Sequence, residues 1–166
     1  MKNDKAGSQI NLQALVSPWA GRSSARGFSL IELLLVLSIV VLLASIAVPN
    51  LMKARRAANE ASAVSSLKLI AGGQLVYRQT QGQFTTLTCL SQESIIDNML
   101  GTGFKSGYVF DSTPGGQPSE EYTTTATPSV PSGVAASGLR YYFVMQDNVL
   151  RYNLAGPADS SSNPLN

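Results

Sequence analysis

Between Leu30 and Val48 the chain carries fourteen Leu, Ile or Val residues and a single charge, Glu32. No other feature constrains the fold as strongly. Twenty-one residues, 28–48, span about 30 Å as a helix, the thickness of one bilayer core. On an insertion scale of roughly −0.3 to −0.6 kcal/mol per large aliphatic, the fourteen contribute about −4 to −8 kcal/mol. An acid at the centre of a span costs roughly 2.5–3.5 kcal/mol, and less near an end. Glu32 is near an end, so insertion wins. The segment therefore reads as a membrane-crossing helix, and the acid at its head calls for an explanation.

The totals exclude several classes of function. The chain has 166 residues, no histidine and one cysteine, Cys89. Ser-His-Asp and Cys-His catalysis and His-ligated zinc are excluded, as is an intrachain disulfide. No paired-carboxylate constellation stands out, so neither enzyme activity nor a cofactor or metal site is expected. A net charge of +2 gives no large footprint for nucleic acid. Residues 1–27 hold Lys2, Lys5, Arg22 and Arg26 against Asp4, whereas the rest holds eight Lys/Arg against nine Asp/Glu. The basic residues before the span lean the N-terminus toward the cytoplasm, although Lys53, Arg55 and Arg56 follow closely.

Three regions are expected: a polar, basic leader over 1–27, an apolar helix over 28–50, and a globular part over 51–166. The helical pattern continues past the apolar run. Ala57, Ala61, Val64, Ala71 and Leu75 recur at helical spacing, which predicts an apolar stripe. Pro49 removes a donor opposite the Ser45 carbonyl and predicts a kink. The helix is expected to end near Gln79–Gly82, with a further short helix over Glu93–Leu100. Strands are predicted at 106–112, 121–127, 139–145 and 149–153, the last two joined by a turn at Gln146–Asn148. In the third of these, Tyr142 should face away from Tyr141 and Phe143. Arg56 and Glu60 stand four apart and could pair. The tail from Gly156 reads as loosely draped.

The stretch Arg26-Gly27-Phe28-Ser-Leu-Ile-Glu32-Leu-Leu, the aliphatic run up to Pro49-Asn50 and "KARRAANEASAV" resemble the N-terminus of type IV pilins and of type II secretion pseudopilins. The resemblance implies an α+β fold: a long spine helix over about 28–80, kinked at Pro49, packed on a small antiparallel sheet. It also implies cleavage between Gly27 and Phe28 by a prepilin peptidase and methylation of the new Phe28 amine. Assembly would follow through the N-terminal helices, with partners in an inner-membrane platform, other pilins and further copies of the chain. The subunit would wait in the cytoplasmic membrane, head outside the cytoplasm, and end in a periplasmic or extracellular filament. In this frame Glu32 would pair with the Phe28 amine of a neighbour, since a buried charge is tolerated chiefly when paired. Snorkelling to the interface without a partner is the plainer alternative.

Gly27 suits a tight protease groove because it lacks a side chain; the alternative is an ordinary linker glycine. Lys53, Arg55 and Arg56 read as a solvated collar near lipid headgroups, with acids of a neighbouring subunit or DNA as alternatives. The leader is long for the class that begins with Phe. The cysteine pair that often staples the C-terminal region of pilins is missing, so that edge must be held by packing. Besides the pilus subunit, the expectations include a secretion pseudopilin, a minor pilin, and a single-span anchored binding module that never polymerises.

Overall fold

The computed structural model describes residues 27–165. The leader expected over 1–27 lies outside the described residues except for Gly27. The chain divides into two compact units with the boundary between Ile39 and Val40.

The first unit begins, over its described residues, with non-helical Gly27–Ser29. Helix α1 (Leu30–Gln81) starts there, and Leu33 N–H donates to the Ser29 carbonyl at 3.2 Å. Glu32 falls in the first turn, where its charge complements the positive end of the helix dipole.

In the second unit α1 continues through Pro49 as unbroken helix to Gln81. Gly82 ends it with φ +73°, donating its N–H to the Arg78 carbonyl at 2.8 Å. A left-handed residue at this place favours glycine. Two short helices follow, α2 (Leu87–Gln92) and α3 (Asn98–Gly101). The single helix expected over 93–100 is thus corrected. Ser94 takes φ +56° and breaks the segment. Asp97 then caps α3 by accepting the Leu100 N–H at 2.6 Å, which fixes a new helix start beyond it.

Six strands complete the fold: β1 (Phe104–Lys105), β2 (Tyr108–Pro114), β3 (Tyr122–Pro128), β4 (Tyr141–Met145), β5 (Arg151–Asn153) and β6 (Asn163–Pro164). They pair in sequence order, each antiparallel to the next. The expected α+β order of a long helix followed by a small antiparallel sheet is what the chain adopts. The first predicted strand shifts by two residues and gains β1 as a partner. Ser106 and Gly107 both have positive φ, 50° and 73°, the requirement of a two-residue hairpin turn. The expected turn after β4 forms, with Asn148 at φ +55° and its N–H on the Met145 carbonyl at 2.9 Å.

The tail is not loosely draped. β6 pairs with β5, and the Leu165 N–H reaches the Leu150 carbonyl at 2.7 Å. The tail covers the outer edge of β5, which would otherwise present unpaired backbone groups. Asp159 folds the approach by accepting from Ser161 N–H at 2.9 Å and Ser162 Oγ at 3.0 Å. Packing and backbone pairing hold this edge.

One face of α1 packs on the sheet. Ala63, Leu67, Ile70 and Ala71 join Leu90, Leu100, Tyr108, Phe110, Ala126, Tyr142 and Val144 in the core. The predicted stripe coincides with this face only in part. Ala71 is buried and Val64 is half-buried against the core, but Ala57, Ala61 and Leu75 are exposed, whereas Ser66, Gly73 and Gln74 are buried. Alanine buries too little area to fix a helix's rotation; Leu67, Ile70 and the hydrogen bonds of Gln74 fix it instead. On β4, Tyr142, Phe143 and Val144 are all buried, so both faces of that strand are covered. Burial pushes the Tyr122 phenol up to about 12. Gly138 is required by a close approach: a Cβ there would overlap the ring and hydroxyl of Tyr108, which donates to the Arg140 carbonyl at 2.9 Å.

Candidate assembly surface

Every large apolar side chain from Phe28 to Leu51 is between 46 and 77% exposed. No other described residue covers them. The segment is long and apolar enough to cross a membrane. Its two helical serines turn inward on their own helix: Ser38 Oγ donates to the Leu35 carbonyl and Ser45 Oγ to the Leu42 carbonyl, both at 2.7 Å. Hydroxyls satisfied in this way add little penalty in a medium without water.

Gly27 and Phe28 precede the helix and are exposed. A Cβ built on Gly27 meets nothing within 4 Å, and the residue has no positive φ. Among the described residues, neither packing nor backbone conformation requires glycine there. Glu32 is exposed and takes part in none of the ion pairs among the described residues. Gly27, Phe28 and Glu32 lie together around the N-terminal end of α1 in the first unit, while Pro49 belongs to the second.

The expected Arg56–Glu60 pair is replaced by a longer-range contact. Glu60 Oε1 accepts the Leu139 N–H at 2.9 Å, and Oε2 lies 3.7 Å from an Arg140 terminal nitrogen. The Arg140 guanidinium also lies over the Tyr152 ring, 5.3 Å from its centre. Asn59 Nδ2 donates to the Ser137 carbonyl at 2.9 Å. Two consecutive helix residues thus hold the loop before β4, a pairing that only tertiary contact selects over the local i,i+4 partner. Because Arg140 is largely exposed, the ion pair itself is worth little. Glu60→Ala should lower stability by about 1–2 kcal/mol through the lost backbone bond, while Glu60→Gln, which keeps an acceptor, should lose less than half of that. Thermal melts in detergent would show it; equal losses would mean that the charge, not the acceptor, matters.

Gln74 was missed from the sequence. It is fully buried. Its Nε2 donates to the Thr85 carbonyl at 2.5 Å and Ser112 Oγ at 2.9 Å, and its Oε1 accepts the Thr85 N–H at 2.9 Å. Ser112 and Thr124 hydroxyls meet across β2 and β3 at 2.7 Å. The available signal was spacing, since Gln74 stands seven residues after Leu67 and four after Ile70. Cys89 is half-buried; hydrogen bonds from Thr85 and Thr86 draw its thiol below the usual range. Asp147 is held below the usual carboxylate range by the Arg151 guanidinium, two of whose nitrogens reach it at 2.6 and 3.2 Å. That pairing leaves the Asp147–Asn148 turn a structural role.

This geometry, an exposed aliphatic helix entered through glycine, phenylalanine and a first-turn glutamate, defines a class. The prokaryotic N-terminal methylation motif matches residues 22–48. The chain is also similar to the type IV wide pilus major component PilA4 of Thermus thermophilus, 36% identical over 63 residues. That match covers 38% of this chain and 48% of the relative, so it spans about half of the relative's length. The chain thus joins an N-terminal methylation motif, and a similarity to a type IV pilus component, to a pilin-like α+β fold of one long helix followed by a small antiparallel sheet.

Proposed function

We propose that the chain is a pilin, a structural subunit of a type IV pilus-like filament with no active site of its own. In this reading residues 1–27 form the leader, 28–50 the membrane and assembly helix, and 51–166 the head. A prepilin peptidase cuts between Gly27 and Phe28 and methylates the Phe28 amine. The subunit waits in the cytoplasmic membrane and then polymerises through residues 28–50, delivered by an inner-membrane assembly platform. Glu32 pairs with the Phe28 amine of a neighbour.

The observation that carries the reading is the exposure of the whole aliphatic segment. An apolar surface of this size is covered by lipid before assembly and by other copies after it. Gly27 supports the cleavage step, because nothing among the described residues asks for glycine at that position. The similarity to a major pilus component favours a pilus over a secretion apparatus.

Gly27→Leu is expected to leave full-length precursor in the membrane and to remove the chain from surface-sheared fibres. Mass spectrometry of fibres from the unaltered protein should report an N-terminal methylated Phe28. Recovery of Met1 in the assembled form would overturn cleavage, and absence of the chain from any sheared fibre would favour an anchored module.

A further inference from the structure

We propose that Lys53, Arg55 and Arg56, together with the tip of the loop over 130–137, form a docking surface for anionic lipid headgroups. The inference rests on reading residues 28–50 as membrane-embedded before assembly.

Three cations stand within four residues, just after Leu51, the last of the exposed aliphatics that run on from Phe28. No Asp or Glu occurs between Glu32 and Glu60. None of the three cations takes part in an ion pair among the described residues, and the buried Nε of Arg56 has no hydrogen-bond acceptor. Lys53 and Arg55 are exposed. Their charge is thus not taken up by any ion pair among the described residues.

The loop supplies an apolar counterpart. Val130-Pro-Ser-Gly-Val-Ala-Ala-Ser137 carries no charge, and its Val134 is 76% exposed. Met52 and Arg55 on α1 share a shallow pocket of about 80 Å³ with Val134, Ala135 and Ala136. The loop tip thus lies at the level of the helix where the cations begin. Ser137 and Leu139 are fastened to Asn59 and Glu60 as described, so the placement is fixed. A polar recess of about 320 Å³ beside it has Arg55 and Asn59 on one wall and Ser106 and Ser137 on the other. A phosphate at Arg55 would meet amide and hydroxyl groups there.

Lipid is favoured over other anions by continuity. Lys53, Arg55 and Arg56 follow Leu51 by two, four and five residues, about 3–8 Å of helix rise. A bilayer that receives Leu51 therefore places these cations at the depth of its headgroups. Three cations near an anionic surface give roughly a hundredfold preference for the docked arrangement. Val134 would then enter the apolar edge of the headgroup layer, as exposed aliphatics beside cations do in interfacial segments.

The test uses the full chain carrying Cys89→Ser and Val134→Cys, the new thiol bearing an environment-sensitive fluorophore. It is reconstituted into phosphatidylcholine vesicles with and without phosphatidylglycerol. With phosphatidylglycerol the emission should shift to the blue and be quenched by spin-labelled lipid. High salt should reverse the shift, and Lys53→Gln, Arg55→Gln and Arg56→Gln combined should return it to the phosphatidylcholine value. Identical emission in the two vesicles overturns the proposal. So does a response to duplex DNA that phosphatidylglycerol does not reproduce, or one that follows protein density at fixed lipid. Vesicle flotation separates the two levels: a chain that does not float overturns the membrane reading with it, and a floating chain whose label is unmoved overturns the docking surface alone.

Discussion

Glu32→Ala should leave the chain processed and in the membrane but nearly absent from filaments. Insertion should improve, because the penalty of an acid near the end of the span disappears. Assembly should fail because, under the proposed pairing, each Phe28 amine would enter the filament without its counter-charge. Removing one partner of a buried pair costs about 3–5 kcal/mol, and the loss recurs at every subunit. Glu32 is suited to that role: it is exposed in the first turn of α1 and unpaired among the described residues. Glu32→Gln keeps the shape and hydrogen-bonding capacity without the charge, and it should be nearly as defective as Ala. The measurement is the ratio of sheared filament to membrane-bound subunit by immunoblot, with cleavage followed by size. Normal fibres from Glu32→Ala would end the charge-pair account. Normal fibres from Gln alone would reduce the requirement to polarity.

The second large effect is expected far from the assembly helix. Gln74→Ala should lower stability by about 3–5 kcal/mol, because it leaves the buried Thr85 N–H and carbonyl without partners and opens a cavity. At roughly 4 °C per kcal/mol for a domain of this size, the melting temperature should fall by more than about 10 °C. Gln74→Leu fills the cavity but restores none of the bonds, so it should recover only a minor part of the loss. The melts would be followed by circular dichroism on detergent-solubilised full-length chain. A Leu variant as stable as the unaltered protein would show that volume, and not the polar network, sets the requirement.

Both expectations turn on what local pattern can and cannot convey. The membrane-length helix and the acid in its first turn were legible because each depends on residue type and short spacing. So were the order of helix before sheet and the turn at Gln146–Asn148, where turn chemistry acts locally. Other features required the folded chain. The rotation of α1 follows from Leu67, Ile70 and Gln74 meeting the sheet, and the expected stripe, mostly alanine, coincided with the buried face only at Val64 and Ala71. Gln74 lies in the core because Thr85 and Ser112, 11 and 38 residues away, satisfy its amide. Glu60 binds Leu139, 79 residues on, in place of its helical neighbour Arg56. The C-terminal tail has no strand signal of its own and becomes β6 because β5 offers it an open edge. Short-range spacing and composition were enough for what the backbone and a single helix decide locally. Which face is buried, which polar groups pair and which edge is covered depend on long-range contacts, whose partners exist only once the sheet has closed against the helix.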